Sequence, residues 1–133
     1  MPGELRVPIE GEADIVTARQ KGRELAAARG LGITDQTLVA TAISEVARNI
    51  VVYARRGEVV LAPVEDRGRR GVLVVARDEG PGIADPERAM RDGWSSGNSL
   101  GMGLPGAKRL MDEFELSSAV GKGTVVTMRK WVR

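Results

Sequence analysis

The chain has 133 residues, the length of one domain, and its 42% hydrophobic and 29% charged residues exclude a disordered tail protein. Twenty Lys and Arg stand against 18 Asp and Glu. With only four aromatics and no basic stripe, this near-balance gives a nucleic-acid partner no support. With no Cys and no His, disulfide frameworks, thiolate metal sites, Ser-His-Asp triads and phosphohistidine chemistry within the chain are excluded together.

The first residues, MPGELRVPIEGEAD, lack an apolar signal core, and no uninterrupted apolar run approaches 18 residues. The expectation is a single cytoplasmic domain spanning 1–133, with no membrane partner. Its acid–base chemistry must come from Asp, Glu, Lys, Arg, Tyr or Ser.

Residues 4–10 alternate apolar and polar, which predicts a short strand, and Pro8 confines it to a sheet edge. Residues 11–28 predict an amphipathic helix, with Ile15, Ala18, Gly22, Leu25 and Ala26 on one face and Gly30 and Gly32 as its stop. Thr34 is the expected N-cap of a second helix, with Asp35 in its first turn, running to about Ala54. That helix is apolar nearly all round and should be buried. Val-rich stretches at 57–66 and 71–77 predict a hairpin turning at 67–70. A short helix is expected over 85–92, a mobile Gly/Ser segment over 93–103, a helix over 104–113, and a closing hairpin of 114–119 and 124–131. The predicted class is α/β, a two-layer α/β sandwich whose mixed, largely antiparallel sheet carries helices on one face.

Four elements carry candidate chemistry. Glu45 and Asn49 lie four apart on one face of the second helix, where a carboxylate and an amide need partners. An i,i+3 pair with Arg48 would satisfy the Glu; a base beside a metal-ligating amide is the functional alternative. Asp78, Gly80 and Gly82 follow directly after a strand, giving an acceptor and a turn whose backbone can approach a ligand. Gly101, Gly103 and Leu104 lie where a glycine-rich segment opens a helix, whose free amides suit phosphate. The run Gly101–Gly106 spells G-x-G-x-x-G, but no strand precedes it and no acidic residue follows at the ribose distance, so a dinucleotide fold is rejected. A Walker loop is absent too. Gly123 and Thr124 open the last strand.

The four elements, Glu45-x-x-x-Asn49, Asp78-x-Gly80-x-Gly82, Gly101-x-Gly103-Leu104 and Gly123-Thr124, occur in one order over nearly the whole chain. Together they resemble the N, G1, G2 and G3 boxes of the GHKL ATPase superfamily, which includes gyrase, Hsp90, histidine kinases and MutL. The small size and the stretches ISEVARNIVVYA and GLPGAKRLMDEFEL are most similar to its RsbT-like branch, the serine/threonine switch kinases of the bacterial stressosome. The anti-sigma-factor kinases are more distantly similar.

The resemblance implies a Bergerat-type fold with a mobile ATP lid, and ATP with Mg²⁺ as cofactors. Asp78 would accept from the adenine amino group, with Thr124 supporting it through water, while Gly80 and Gly82 let the backbone pass the base. Asn49 would ligate Mg²⁺. Amides at Gly101, Gly103 and Leu104 would hold the β- and γ-phosphates, and Glu45 would be the general base. Implied partners are STAS-domain proteins (RsbS/RsbR-like) as substrates and a PP2C-type phosphatase or other output protein. The alternative is an anti-sigma-factor kinase that sequesters a sigma factor. One departure is Tyr53, standing where many relatives carry His or Lys. Trp94 is a candidate partner contact, and Trp131 a packing residue.

Overall fold

The alternation in the first strand turns Val7 and Ile9 inward, and their strand, β1 (Leu5–Ile9), is the sheet edge that Pro8 requires. In the computed structural model, the residues described are 3–86, 90 and 103–133. The remaining strands are β2 (Gly57–Asp66), β3 (Arg69–Asp78), β4 (Glu113–Ser118) and β5 (Thr124–Trp131). They lie in the order β1-β2-β3-β5-β4, and every described pairing is antiparallel. The β2–β3 turn is tighter than expected. Arg67 and Gly68 alone make it, both at positive φ, so β3 begins at Arg69 rather than Gly71.

Helix α1 (Glu12–Arg29) starts where Asp14 Oδ2 accepts the Glu10 and Gly11 amides, at 2.8 and 3.2 Å, and ends at Gly30. Its buried residues Ile15, Ala18, Gly22 and Ala26 are the predicted face. Helix α2 (Ile33–Asn49) begins two residues earlier than the Thr34 cap implies. Gly32 is the N-cap, and the Gln36 side chain donates to Leu31 O at 2.9 Å.

The helical run continues to Ala54 as predicted, but its last turn, Ile50–Ala54, is a π turn. Such wide turns are frequent at functional sites. By length and composition the 22-residue run Ile33–Ala54 could cross a membrane. In this fold Val39, Ile43, Val46, Ala47 and Ile50 belong to the core, against the inner sheet residues Val59, Leu61, Val74, Ala76 and Met128. Ile43 is fully buried, so truncation to Ala should cost roughly 2–5 kcal/mol.

Helix α3 (Gly103–Leu110) packs on α2. It stops three residues before the predicted end at Glu113. Lys130 Nζ donates to Leu110 O at 2.8 Å, and Asp112 accepts the Trp131 amide at 2.8 Å, so the chain turns there into β4. The helix expected over 85–92 lies largely outside the described residues. Trp131 is 5% exposed, under the Arg69 guanidinium at 4.2 Å, a packing role as expected.

Candidate active site

The register that builds the sheet also builds the site. Strands β3 and β5 pair so that Asp78, the last residue of β3, stands directly across from Thr124, the first of β5. Asp78 is half-buried, and its Oδ1 accepts the Gly80 amide at 2.9 Å. The turn therefore fixes one carboxylate oxygen and leaves the other for a further donor.

Thr124 is buried beside Ser118. Ser118 Oγ accepts the Ile83 amide at 2.8 Å, donates to Gly123 O at 2.9 Å, and lies 2.8 Å from Thr124 Oγ1. A hydroxyl has one proton, so with Ser118's committed to Gly123, Thr124 must be the donor in the third contact. The Thr124 oxygen keeps its acceptor capacity.

Two glycines are required by geometry here. A Cβ at Gly80 would sit 2.6 Å from that of Ala54, because the turn after β3 is pressed against the end of the π turn. Gly82 has φ +77, and a Cβ there would lie 2.0 Å from Ala119 O. Between this turn and the end of α2 opens a cavity of about 280 Å³, lined by Asn49, Tyr53, Asp78, Gly82, Ile83 and Thr124 among others. Apolar walls with a few convergent polar groups are the ordinary character of a small-molecule site. A larger open groove on the far side of Asp78 is lined by surface charges such as Arg56, Glu58 and Arg77. Its charges partly neutralise one another, since Glu58 pairs with both Arg6 and Arg77 at 2.9 Å.

One helical turn before Asn49, Glu45 points toward α3 rather than into the cavity. Its side chain is 10% exposed. Oε1 accepts the Gly103 amide at 3.1 Å, and Oε2 lies 3.7 Å from Arg48 Nη1. The Arg48 pair is thus present but long, and the Gly103 amide is the closer partner. Leu104 is 2% exposed, its side chain in the core. Gly101, the third residue of that element, and Trp94 lie outside the described residues.

The structure therefore brings Asn49, Asp78, Gly82 and Thr124 to one cavity, packs Gly80 against Ala54 of its wall, and sets Glu45 with Gly103 beside α3. Sequence reasoning missed Ser118, which links Ile83, Gly123 and Thr124, and Ala54, whose small side chain admits Gly80. Neither carries a local signal: each is an ordinary residue at the end of an element. Among the described residues no group of three Asp or Glu side chains is placed to hold a metal ion.

Residues 10–130 match the family model of the histidine kinase-like ATPase domain. The chain belongs to that family, the GHKL type expected from its four boxes, and it is built for ATP. Serine/threonine-protein kinase RsbT of Bacillus subtilis (strain 168) is 51% identical over 127 residues, 96% of either chain. At that likeness over the full length of both, the chain is a serine/threonine protein kinase of the RsbT-like branch. The anti-sigma F factor of Clostridium acetobutylicum is 35% identical over 99 residues, 69% of this chain and 67% of its own. A solved structure of the RsbU and RsbW domains of a Mycobacterium tuberculosis protein shares the fold, with a TM-score of 0.62 at 22% identity. It covers 98% of this chain, which spans about a third (33%) of that solved chain.

Proposed function

We propose that this kinase transfers the γ-phosphoryl group of Mg-ATP to a serine or threonine of a STAS-domain stressosome protein (RsbS/RsbR-like). Once released, it binds and activates an output protein such as a PP2C-type phosphatase. The observation that carries the reading is the pairing of Asp78 with Thr124 at the mouth of a cavity that Asn49 also lines.

In this reading the free oxygen of Asp78 accepts from the adenine amino group, and Thr124 supports the base through water. Gly80 and Gly82 let the backbone lie against the purine. Asn49 offers a neutral amide oxygen. A single protein oxygen suits Mg²⁺, which is usually held by one or two protein groups, waters and the substrate's phosphates. Bound there, the ion would neutralise phosphate charge.

Glu45 is the general base. The Gly103 amide fixes Oε1, which leaves Oε2 to take the proton of the acceptor hydroxyl as its oxygen bonds to the γ-phosphorus. The bond from phosphorus to the β-phosphate oxygen breaks, and ADP leaves. Such transfer rests on positioning and charge neutralisation, so a chain without His or Cys can perform it. Gly101 and Leu104 are assigned to the phosphates; Gly103, whose amide Glu45 engages, is assigned to the base.

The described residues share one sheet and one core, which supports reading 1–133 as one kinase domain; a chain without Cys suits the reducing cytoplasm, where we place it. A second reading rests on the anti-sigma F relatives: an anti-sigma-factor kinase that sequesters a sigma factor. One experiment separates them. The protein is incubated with radiolabelled ATP, Mg²⁺ and a STAS protein or a sigma factor, and labelling and capture are read together. Label on a STAS Ser or Thr supports the first reading. Capture of sigma without STAS labelling overturns it.

A further inference from the structure

Lys130 is a lysine on the inner side of β5 with a side chain only 5% exposed. A buried ammonium is costly unless its three protons find acceptors. Here Nζ donates to Leu110 O at 2.8 Å and lies 3.6 Å from Asp112 Oδ1 and 3.8 Å from Asp35 Oδ1. Arg133 closes the cluster from outside, 2.6 Å from Asp112 and 3.7 Å from Asp35.

Each partner marks the end of an element. Leu110 is the last residue of α3, where carbonyls lack helical partners and the dipole favours a cation. Asp35 is in the first turn of α2, where the dipole favours an anion. Asp112 begins the passage into β4. The cluster thus ties the C-terminal end of α3 to the N-terminal end of α2. At the opposite end of the same two helices, Gly103 of α3 donates to Glu45 of α2. The helices are antiparallel neighbours pinned at both ends, and α3 spans about 12 Å between its two pins.

We propose that Lys130 is a positioning residue for phosphoryl transfer, because by gripping the last carbonyl of α3 it sets where the Gly103 amide meets the Glu45 carboxylate. No described contact joins Lys130 to Glu45 or to a residue lining the cavity; its shortest contact is to Leu110 O of α3, while the longer Asp35 pair holds the far end of α2, ten residues before Glu45. A short helix held at one end only can slide or rotate by a fraction of a turn, and an ångström at Gly103 re-aims Oε2. The inference rests on Glu45 as the base. Adenine recognition through Asp78 and Thr124 does not involve α3.

The test is Lys130→Met in the full chain, with three readouts: kcat, KM for ATP, and the backbone amide resonance of Gly103. The expected result is a shifted Gly103 resonance, a kcat lowered about ten- to a hundredfold, and a KM for ATP changed by less than about twofold. Loss of ATP affinity in step with kcat would mark a general structural role and overturn the inference, as would a wild-type kcat. If Lys130→Met does not fold, Lys130→Gln is read the same way, since it keeps a donor for the aspartates but is one bond shorter toward Leu110 O. The resonance separates this idea from the kinase reading. Full transfer by Glu45→Gln refutes Glu45 as base, whereas a Gly103 resonance unmoved in a folded Lys130 variant overturns the Lys130 coupling alone.

Discussion

Glu45 Oε1 accepts the backbone proton of Gly103 at 3.1 Å, across 58 positions of sequence. The contact fixes a nearly buried carboxylate by one oxygen and aims the other, which is what a general base needs and a surface ion pair does not provide. Glu45→Gln keeps an acceptor for Gly103 but cannot take a proton. Phosphoryl transfer should fall about 10²–10⁴-fold, with ATP affinity nearly unchanged. Radiolabel transfer beside a binding titration checks both, and full transfer by Glu45→Gln would remove Glu45 from the chemistry.

Gly82 stands at φ +77 with Ala119 O where a Cβ would go. Gly82→Ala must bend the turn that forms the cavity's outer wall. We expect a loss of about 1–3 kcal/mol, visible as a lower thermal midpoint, and weaker nucleotide binding. A variant with wild-type melting and binding would show that the turn is not held as described.

Asp112 has a lowered pKa. Burial alone would raise it, but the Trp131 amide, the Arg133 guanidinium and the Lys130 charge together outweigh that. A carboxylate depressed in the folded state binds fewer protons there than in the unfolded chain, so its stabilisation is present at neutral pH. That stabilisation is lost as pH falls below about 4. Asp112→Asn should therefore be less stable at pH 7 and show a shallower loss from about pH 5 downward, in denaturant melts across that range. An unchanged acid slope would mean that Asp112 contributes nothing to it.

Much of the fold was legible because burial writes a period into the sequence. Ile15, Ala18, Gly22 and Ala26 betray α1, and the Val-rich runs betray β2 and β3. Boundaries set by tertiary contacts were not. Helix α3 ends at Leu110 because of Lys130, 20 residues away, and nothing in the KRLMDE stretch announces it. The π turn after Asn49 and the Gly32 cap were also hidden, since backbone geometry rather than side-chain type marks them. In the site, the residues with distinctive chemistry could be picked out. Asn49, Asp78, Gly82 and Thr124 do meet at one cavity. Ser118 and Lys130 could not be, because a serine ending a strand and a lysine within one have meaning only once their neighbours are known.

The central claim is that the cavity between Asp78 and Asn49 reads adenine. Isothermal titration of Mg-ADP into the wild type and Asp78→Asn tests it most directly. Replacing one carboxylate oxygen by an amide donor removes an acceptor and sets a donor against the adenine amino group. The affinity should fall at least about tenfold, roughly 1.5–3 kcal/mol for a charged acceptor. Equal affinities in wild type and a folded Asp78→Asn would place the nucleotide elsewhere and contradict the account.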